Sequence, residues 1–115
     1  MEKKIKEKKI ICYTAYNHRF EPHFKKMKEL IDSKVLGKIY SCRMFYGNGT
    51  AKLVRRSKWR NTGTGVLSDL GSHLLDTCKF LFKDNYIGNF RIISANKFEN
   101  SSYDHAIICN NNSRI

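Results

Sequence analysis

A glycine-rich stretch over residues 63–76 constrains the fold of this chain more than any other feature. Its sequence reads GTGVLSDLGSHLLD. If residues 65–82 are helical, four leucines and Cys78 form an apolar stripe, and a stripe of this kind packs against another element. The same helix would present Asp69 and His73, at positions i and i+4, on one face beside the stripe. A carboxylate next to an imidazole can move protons near neutral pH, so the pair is a candidate acid/base site.

Each member of this pair also has an ordinary structural explanation. Asp69 could be an early-turn carboxylate that the helix dipole favours. His73 could be a hydrogen-bonded core histidine. Asp76 lies a further turn along, and we expect it to hold the helix against its neighbours or against a nearby loop.

The composition limits the partners of the chain. Its 115 residues form one domain at most, and the net charge is +12. Residues 1–60 hold 17 Lys and Arg against 5 Asp and Glu, whereas residues 61–115 hold 5 against 5. Such a basic half is compatible with a small module that binds nucleic acid or another acidic partner. A solvated lysine-rich surface is favoured, because the aromatic residues lie in apolar runs rather than between the basic residues.

The cysteines indicate a reducing compartment. They are far apart, without a CxxC pair, and are expected to be small buried thiols: Cys12, Cys42, Cys78 and Cys109. No ligand spacing links them to His18, His23 or His105, so no metal site is predicted. There is no signal peptide and no apolar run of membrane-spanning length, which favours a cytoplasmic location without a membrane partner.

The remaining pattern predicts strands and helices in alternation. The apolar run Ile10–Tyr16 is typical of a strand covered on both faces, with Asn17–Phe20 at the strand end where α/β sheets bind ligands. Pro22 opens a helix that Gly37 ends. The other predicted elements are a charged helix over residues 2–9, a strand over Lys38–Tyr46 broken by Gly47–Thr50, an aperiodic loop over residues 51–64, an exit turn at Asp84–Gly88, and strands over Phe90–Phe98 and Tyr103–Cys109 joined by Glu99–Ser102.

The last predicted strand lies near the end of the chain. A strand without a further partner leaves backbone groups unpaired, so we expect additional residues to follow it in the complete protein.

Three ordered segments carry a family resemblance. They are Tyr16–Phe20 before an amphipathic helix that ends in Gly37–Tyr40, the pair Trp59 and Arg60, and the helix motif with Asp69, Gly71, His73 and Asp76. In this order and at this spacing, over roughly residues 10–98, they resemble the Gfo/Idh/MocA oxidoreductases, the group that includes glucose-fructose oxidoreductase and inositol 2-dehydrogenase.

The resemblance implies an α/β (α+β) fold that is a fragment of a larger one. Residues 1–17 would be the last helix and strand of a Rossmann domain. Residues 18–115 would be the first part of an open, mainly antiparallel sheet domain with packed helices. The chain contains no GxGxxG turn and no Glu-Lys-Pro segment, both of which would precede Met1 in the family. We therefore expect the chain to be inactive alone, and whether it is an enzyme by itself stays open.

The resemblance also implies the chemistry and the residues that perform it. In the family, a hydride passes between nicotinamide and a carbinol carbon of a sugar or cyclitol. His73 matches the acid/base, and Asp69 would orient its ring or contact a substrate hydroxyl. The residues that match cofactor-binding positions are Trp59, Arg60, His18 and Arg19.

Three further expectations accompany these roles. NAD or NADP would be bound only together with the missing N-terminal domain. Trp59 has an alternative role as the buried anchor of a long loop. Because family members commonly pair through the sheet, a homo-oligomer or a sheet-mediated assembly piece is a third interpretation.

Overall fold

The computed structural model describes residues 5, 7–47, 49, 51–83 and 90–110. Within these residues, the regular elements are three α-helices and one β-hairpin: α1 (Pro22–Asp32), α2 (Ala51–Arg56), α3 (Leu70–Phe82), β1 (Phe90–Asn96) and β2 (His105–Asn110). Short 3₁₀ turns at Asn17–Phe20 and Gly65–Leu67 precede α1 and α3. Helix α1 packs against α3, and both 3₁₀ turns contact α3. The predicted mixed α/β class is confirmed.

The two predicted C-terminal strands form an antiparallel pair. Phe90 lies opposite Asn110, and Asn96 lies opposite His105, with an irregularity between Ile92 and Ser94. Residues 98–102 form the bend between the strands. The hairpin therefore supplies the antiparallel sheet that was predicted.

The bend is held by one carboxylate that the sequence pattern did not single out. Asp104 accepts hydrogen bonds from the backbone N–H groups of Phe98, Glu99 and Asn100, at 2.9, 2.6 and 2.9 Å. Desolvation alone would raise the pKa of Asp104, but these donors together lower it below the ordinary value. The carboxylate thus pairs with three backbone donors of the bend and holds the bend in its conformation.

Helix α1 begins where it was predicted to begin and ends earlier. Pro22 occupies its first position. The helix ends at Asp32, five residues before Gly37, because the next residues leave the helical conformation. The Ser33 hydroxyl donates to the Leu30 carbonyl at 3.0 Å, and Lys34 has φ +58°. A left-handed residue cannot continue a right-handed helix.

The single helix predicted over residues 65–82 is wrong at its start. Gly65 has φ +51°, and the first turn is a 3₁₀ turn. Asp69 has ψ −86° and occupies the N-cap position without a side-chain hydrogen bond to the helix, so α3 proper begins at Leu70. Asp69 therefore precedes the helix that carries His73.

Two predicted strands are not strands in the described part of the chain. Residues 10–16 and 38–46 pair with no neighbouring strand there. Ile11 is 95% exposed, which is the opposite of burial on both faces. A strand is stable only when its backbone groups pair with another strand, and an apolar run alone does not supply one.

The loop predicted over residues 51–64 contains a short helix, α2. Six residues make less than two turns, which is too short for an apolar period to emerge from the sequence. Residues 57–64 connect this helix to the 3₁₀ turn that leads into α3.

Little apolar surface is buried in the described residues. Among them, Leu81 is the one large aliphatic side chain that is fully buried, with 1% of its surface exposed. The prediction of four buried thiols is wrong, because Cys12, Cys42 and Cys109 are exposed. Cys78 is half-buried, with Sγ 3.6 Å from the sulfur of Met44, and burial raises the pKa of its thiol.

The predicted exit turn at Asp84–Gly88 and the last five residues lie outside the described residues. Asn48 and Thr50 of the predicted break lie outside them as well. Of the predicted N-terminal helix, residues 5, 7 and 8 are helical.

Candidate active site

A cavity of about 370 Å³ lies between α1, α3 and the extended segment at residues 42–46. His73 reaches its wall from the first turn of α3. The Nδ1 atom of His73 is buried and has no hydrogen-bond partner in the described part of the molecule. A buried imidazole nitrogen without a protein partner is free to exchange a proton or a hydrogen bond with a ligand.

Three aromatic side chains surround His73 edge-on. The ring centroid of His73 lies 5.8 Å from that of Tyr16, 5.1 Å from that of His18 and 6.3 Å from that of Tyr46. These partners come from the N-terminal segment, the first 3₁₀ turn and the segment before Gly47. The packing of rings from three parts of the chain fixes the orientation of the imidazole.

His18 is held by a carboxylate on its other side. Its Nδ1 lies 2.6 Å from Glu21 Oε1, and His23 Nε2 lies 3.0 Å from Glu21 Oε2. His18 and His23 both line the cavity, as does Glu21. The sequence prediction named His18 but missed Glu21. The signal that could have found it is its position immediately before Pro22, at the start of a helix that points toward the site.

The structure does not join Asp69 to His73. Asp69 Oδ2 lies 3.3 Å from Arg60 Nε, and Asp69 makes no hydrogen bond to His73 among the described contacts. Arg60 Nε is nevertheless without a hydrogen bond, because the ion pair is close but poorly aligned. The predicted acid/base pair is therefore split between two neighbouring groups.

Trp59 and Arg60 form the second group with Asp69. The Arg60 guanidinium carbon lies 4.7 Å from the centre of the Trp59 ring, which is a cation–π geometry. Trp59 is 66% exposed, so its alternative role as a buried loop anchor is wrong. An exposed indole with a stacked guanidinium is a surface on which a planar or anionic group can lie.

Arg19 turns away from the cavity toward α3. Its Nε and Nη2 donate to the two carboxylate oxygens of Asp76, at 2.7 and 2.5 Å. The hydrogen bond to Asp76 raises the pKa of Arg19, and Asp76 is 8% exposed. The prediction that Asp76 holds the helix against its neighbours is confirmed, while the cofactor-binding role of Arg19 stays a prediction.

The residues before α3 are tied to the hairpin by side-chain hydrogen bonds. Asn61 Oδ1 accepts from the backbone N–H of Ser101 at 2.9 Å, and Ser102 Oγ donates to the Arg60 carbonyl at 3.0 Å. These contacts fix the backbone on which Trp59, Arg60 and Asp69 stand. They place the second group beside the start of α3.

Two general features bear on the class of site. No three His, Cys, Asp or Glu side chains of the described ranges come together in a group that could hold a metal ion. Among the same residues, every helix is too short or too polar to cross a bilayer.

Comparison with known proteins identifies relatives of this sequence. A family model described as the GFO/IDH/MocA C-terminal domain matches residues 24–104. The chain is 30% identical over 78 residues to a glucose-6-phosphate 3-dehydrogenase of Bacillus subtilis (strain 168), covering 64% of this chain and 22% of that protein. No solved structure matches it significantly.

Two further relatives have a similar degree of likeness. A levoglucosan dehydrogenase of Pseudarthrobacter phenanthrenivorans is 27% identical over 79% of this chain and 23% of its own length. The scyllo-inositol 2-dehydrogenase (NADP(+)) IolW of Bacillus subtilis (strain 168) is 32% identical over 66% of this chain and 22% of its own length. The chain thus spans about a fifth of the length of these curated relatives. On the match over residues 24–104, this chain belongs to the Gfo/Idh/MocA family.

Proposed function

We propose that this chain is the substrate-side part of an NAD(P)-dependent oxidoreductase that acts on the carbinol of a sugar or cyclitol. The names of the three relatives support the substrate class, since each is a dehydrogenase of a sugar or of inositol. The single observation that carries the proposal is that His73, whose side chain lines the cavity, has a buried Nδ1 without a hydrogen-bond partner among the described residues.

His73 is the proton-transferring group in this proposal. When a carbinol is oxidised, its hydroxyl proton has to be accepted as the hydride leaves carbon. Imidazole is the side chain that most often both accepts and donates a proton in enzyme sites at neutral pH, which suits this step. Positioned proton transfer of this kind typically contributes about 10² to 10⁴ in rate. The edge-on rings of Tyr16, His18 and Tyr46 supply the positioning.

In the proposed site Asp69 contacts Arg60 rather than His73. Its carboxylate stands one turn before His73 and 3.3 Å from the guanidinium. It therefore holds Arg60 beside the start of α3 and places a negative charge near the helix N-terminus, where the dipole favours it. In the proposal Asp69 positions the arginine that faces the cofactor and makes no described hydrogen bond to the proton-transferring imidazole.

The residues present fit only part of a dinucleotide. The exposed Trp59 ring and the stacked Arg60 suit a planar or anionic portion of NAD or NADP. The resemblance also places His18 and Arg19 on the cofactor side, but Arg19 binds Asp76, and His18 lines the cavity beside His73, which favours contact with the substrate instead. The sequence has no glycine-rich turn to receive the pyrophosphate. When bound, the nicotinamide would accept or return the hydride.

The domain division follows from the same proposal. Residues 1–17 end a nucleotide-binding domain, and residues 18–115 begin the substrate and oligomerisation domain. The family match over residues 24–104 supports the second assignment. Without a dinucleotide-binding domain the chain is proposed to lack turnover.

Titration with a polyol tests the proposed substrate class on the chain itself. The imidazole Cε1–H signals of the four histidines are followed by NMR as scyllo-inositol, glucose 6-phosphate or levoglucosan is added. We expect the His73 and His18 signals to shift and to saturate with at least one of these ligands. His105 lies on the exposed hairpin and serves as the internal control. Equal shifts of all histidines, or none, would contradict the proposal.

A second candidate function is assembly through the sheet. The hairpin presents exposed isoleucines, with Ile92 at 59% and Ile107 at 51% exposure. Apolar side chains exposed on an antiparallel pair favour contact with a second copy. Light scattering after gel filtration should give a dimer that the Ile107→Asp variant dissociates, and a monomer at all concentrations would exclude this candidate.

A further inference from the structure

Glu21 occupies the N-cap of α1 but does not cap it. Its backbone is extended, with ψ 135°, as an N-cap requires, yet its side chain makes no hydrogen bond to the helix N–H groups. The two carboxylate oxygens are instead directed to two histidines, at 2.6 Å from His18 Nδ1 and 3.0 Å from His23 Nε2. The carboxylate therefore makes these two contacts and no capping contact.

The short contact decides which nitrogen of His18 carries the proton. A carboxylate only accepts hydrogen bonds, so a neutral His18 has to donate its Nδ1–H to Glu21. The other nitrogen, Nε2, is then left as an acceptor with a free lone pair. The side chain of His18 is only 19% exposed, and packing against Phe24 and Tyr46 holds its ring in place.

The side chain that carries this acceptor lines the same cavity as the candidate acid/base. His18 lines the same cavity as His73, and their ring centroids are 5.1 Å apart. Nε2 of His18 has no hydrogen bond to any described residue. A polyol has several adjacent hydroxyls, so one hydroxyl can meet His73 while a neighbouring hydroxyl donates to His18.

Resting on the function proposed above, we propose that Glu21 is a positioning residue that fixes His18 as a hydrogen-bond acceptor for a second substrate hydroxyl. The arrangement of Glu21, His18 and His73 favours a polyol with at least two neighbouring hydroxyls over a molecule with a single hydroxyl. Glu21 itself touches no substrate in this account, and it acts through His18.

The tautomer of His18 is measured directly by the ¹⁵N shifts of its ring in the 115-residue chain, above the pH at which imidazoles are charged. We expect the Nδ1–H form in the wild type and a shift toward the Nε2–H form in Glu21→Ala. Glu21→Gln, whose amide oxygen can still accept, should restore the Nδ1–H form. Glu29→Ala on the exposed face of α1 is the matched control. An Nε2–H tautomer in the wild type would overturn the inference.

Polyol binding supplies the second arm. In the scyllo-inositol titration, Glu21→Ala should weaken binding by about fivefold to tenfold, the loss expected for one hydrogen bond, while Glu29→Ala leaves it unchanged. If Glu21→Ala binds the polyol as tightly as the wild type does, only the role of Glu21 is overturned. If the wild type binds none of scyllo-inositol, glucose 6-phosphate and levoglucosan, the proposed function is overturned and, with it, the acceptor role of His18. Circular dichroism of each variant separates these results from loss of the fold.

Discussion

Replacing Gly65 by alanine should disrupt the junction between α3 and the hairpin. Gly65 has φ +51°, and a Cβ built on it would overlap the carbonyl oxygen of Tyr103. The same carbonyl accepts the backbone N–H of Val66 at 2.7 Å. The carbonyl therefore cannot move away from the new methyl group without losing that hydrogen bond. Gly63 is the matched control, because it has φ +60° and nothing within 4 Å of its Cβ position.

The magnitude follows from comparing these two glycines. Alanine in the left-handed region costs about 1–2 kcal/mol at either position, partly offset by the lower entropy of the unfolded chain. At Gly65 the clash adds the loss of the Val66 to Tyr103 hydrogen bond, about 1 kcal/mol, and about 1–3 kcal/mol for forcing atoms into occupied space. Gly65→Ala should thus be destabilising by at least about 2 kcal/mol more than Gly63→Ala.

Urea unfolding followed by circular dichroism measures the difference. A chain with little buried apolar surface has a small free energy of unfolding, so Gly65→Ala is expected to lose most of its helical signal without denaturant. Gly63→Ala should keep a cooperative transition at a lower urea midpoint. Equal destabilisation of the two variants would show that the contact between Gly65 and the hairpin does not hold the structure together.

Three other perturbations test separate parts of the structure. Asp76→Ala should lower the free energy of unfolding by about 1–2 kcal/mol in urea titrations, because it leaves the partly exposed Arg19 without its carboxylate, whereas Asp32→Ala at an exposed site should have little effect. Asp104 has a pKa lowered from the ordinary value of 3.8, so its stabilisation is complete above that pH and is lost as the pH falls through the lower folded value. Below about pH 4, the melting temperature of Asp104→Asn should therefore change less with pH than that of the wild type. Identical dependence of the two melting temperatures on pH would show that Asp104 does not stabilise the fold in this way. In a full-length protein, Arg60→Ala should raise the dissociation constant for NAD or NADP several-fold, and an unaltered constant would take Arg60 out of the proposed cofactor surface.

Local signals in the sequence predicted the elements that form from local interactions. Proline is favoured at the first position of a helix because the backbone N–H that it lacks has no partner within the helix there. Pro22 is the first residue of α1 in the structure, as predicted. The alternating and apolar runs at residues 90–98 and 103–109 correspond to β1 and β2, which pair with each other across a short bend. Asp76 was predicted to hold α3, and its partner proved to be Arg19.

The sequence-based predictions were wrong where a strand needs a pairing strand or where a helix start depends on backbone torsion angles. Residues 10–16 and 38–46 have the composition of strands, but in the described residues no strand pairs with them. Asp69 has the spacing to meet His73 only if the helix starts before it. The positive φ of Gly65 and the non-helical ψ of Asp69 delay that start.

The site was predictable in its central residue and not in its environment. His73 could be found from its position on an amphipathic helix beside a family motif. The contacts of Tyr16 and Tyr46 with its ring join segments far apart in sequence, and no periodicity reports them. Glu21 was missed for a different reason: its contacts with His18 and His23 are local, but a residue before a helix proline is ordinarily interpreted as a helix cap.

The turnover number of a full-length protein that carries this chain behind a dinucleotide-binding domain tests the central claim most directly. His73→Ala should reduce kcat for sugar or cyclitol oxidation by at least about 10², while the dissociation constant for NAD or NADP stays unchanged. His105→Ala, a histidine removed from the cavity, should retain the kcat of the wild type. If His73→Ala turns over as fast as His105→Ala, the assignment of proton transfer to this imidazole is wrong.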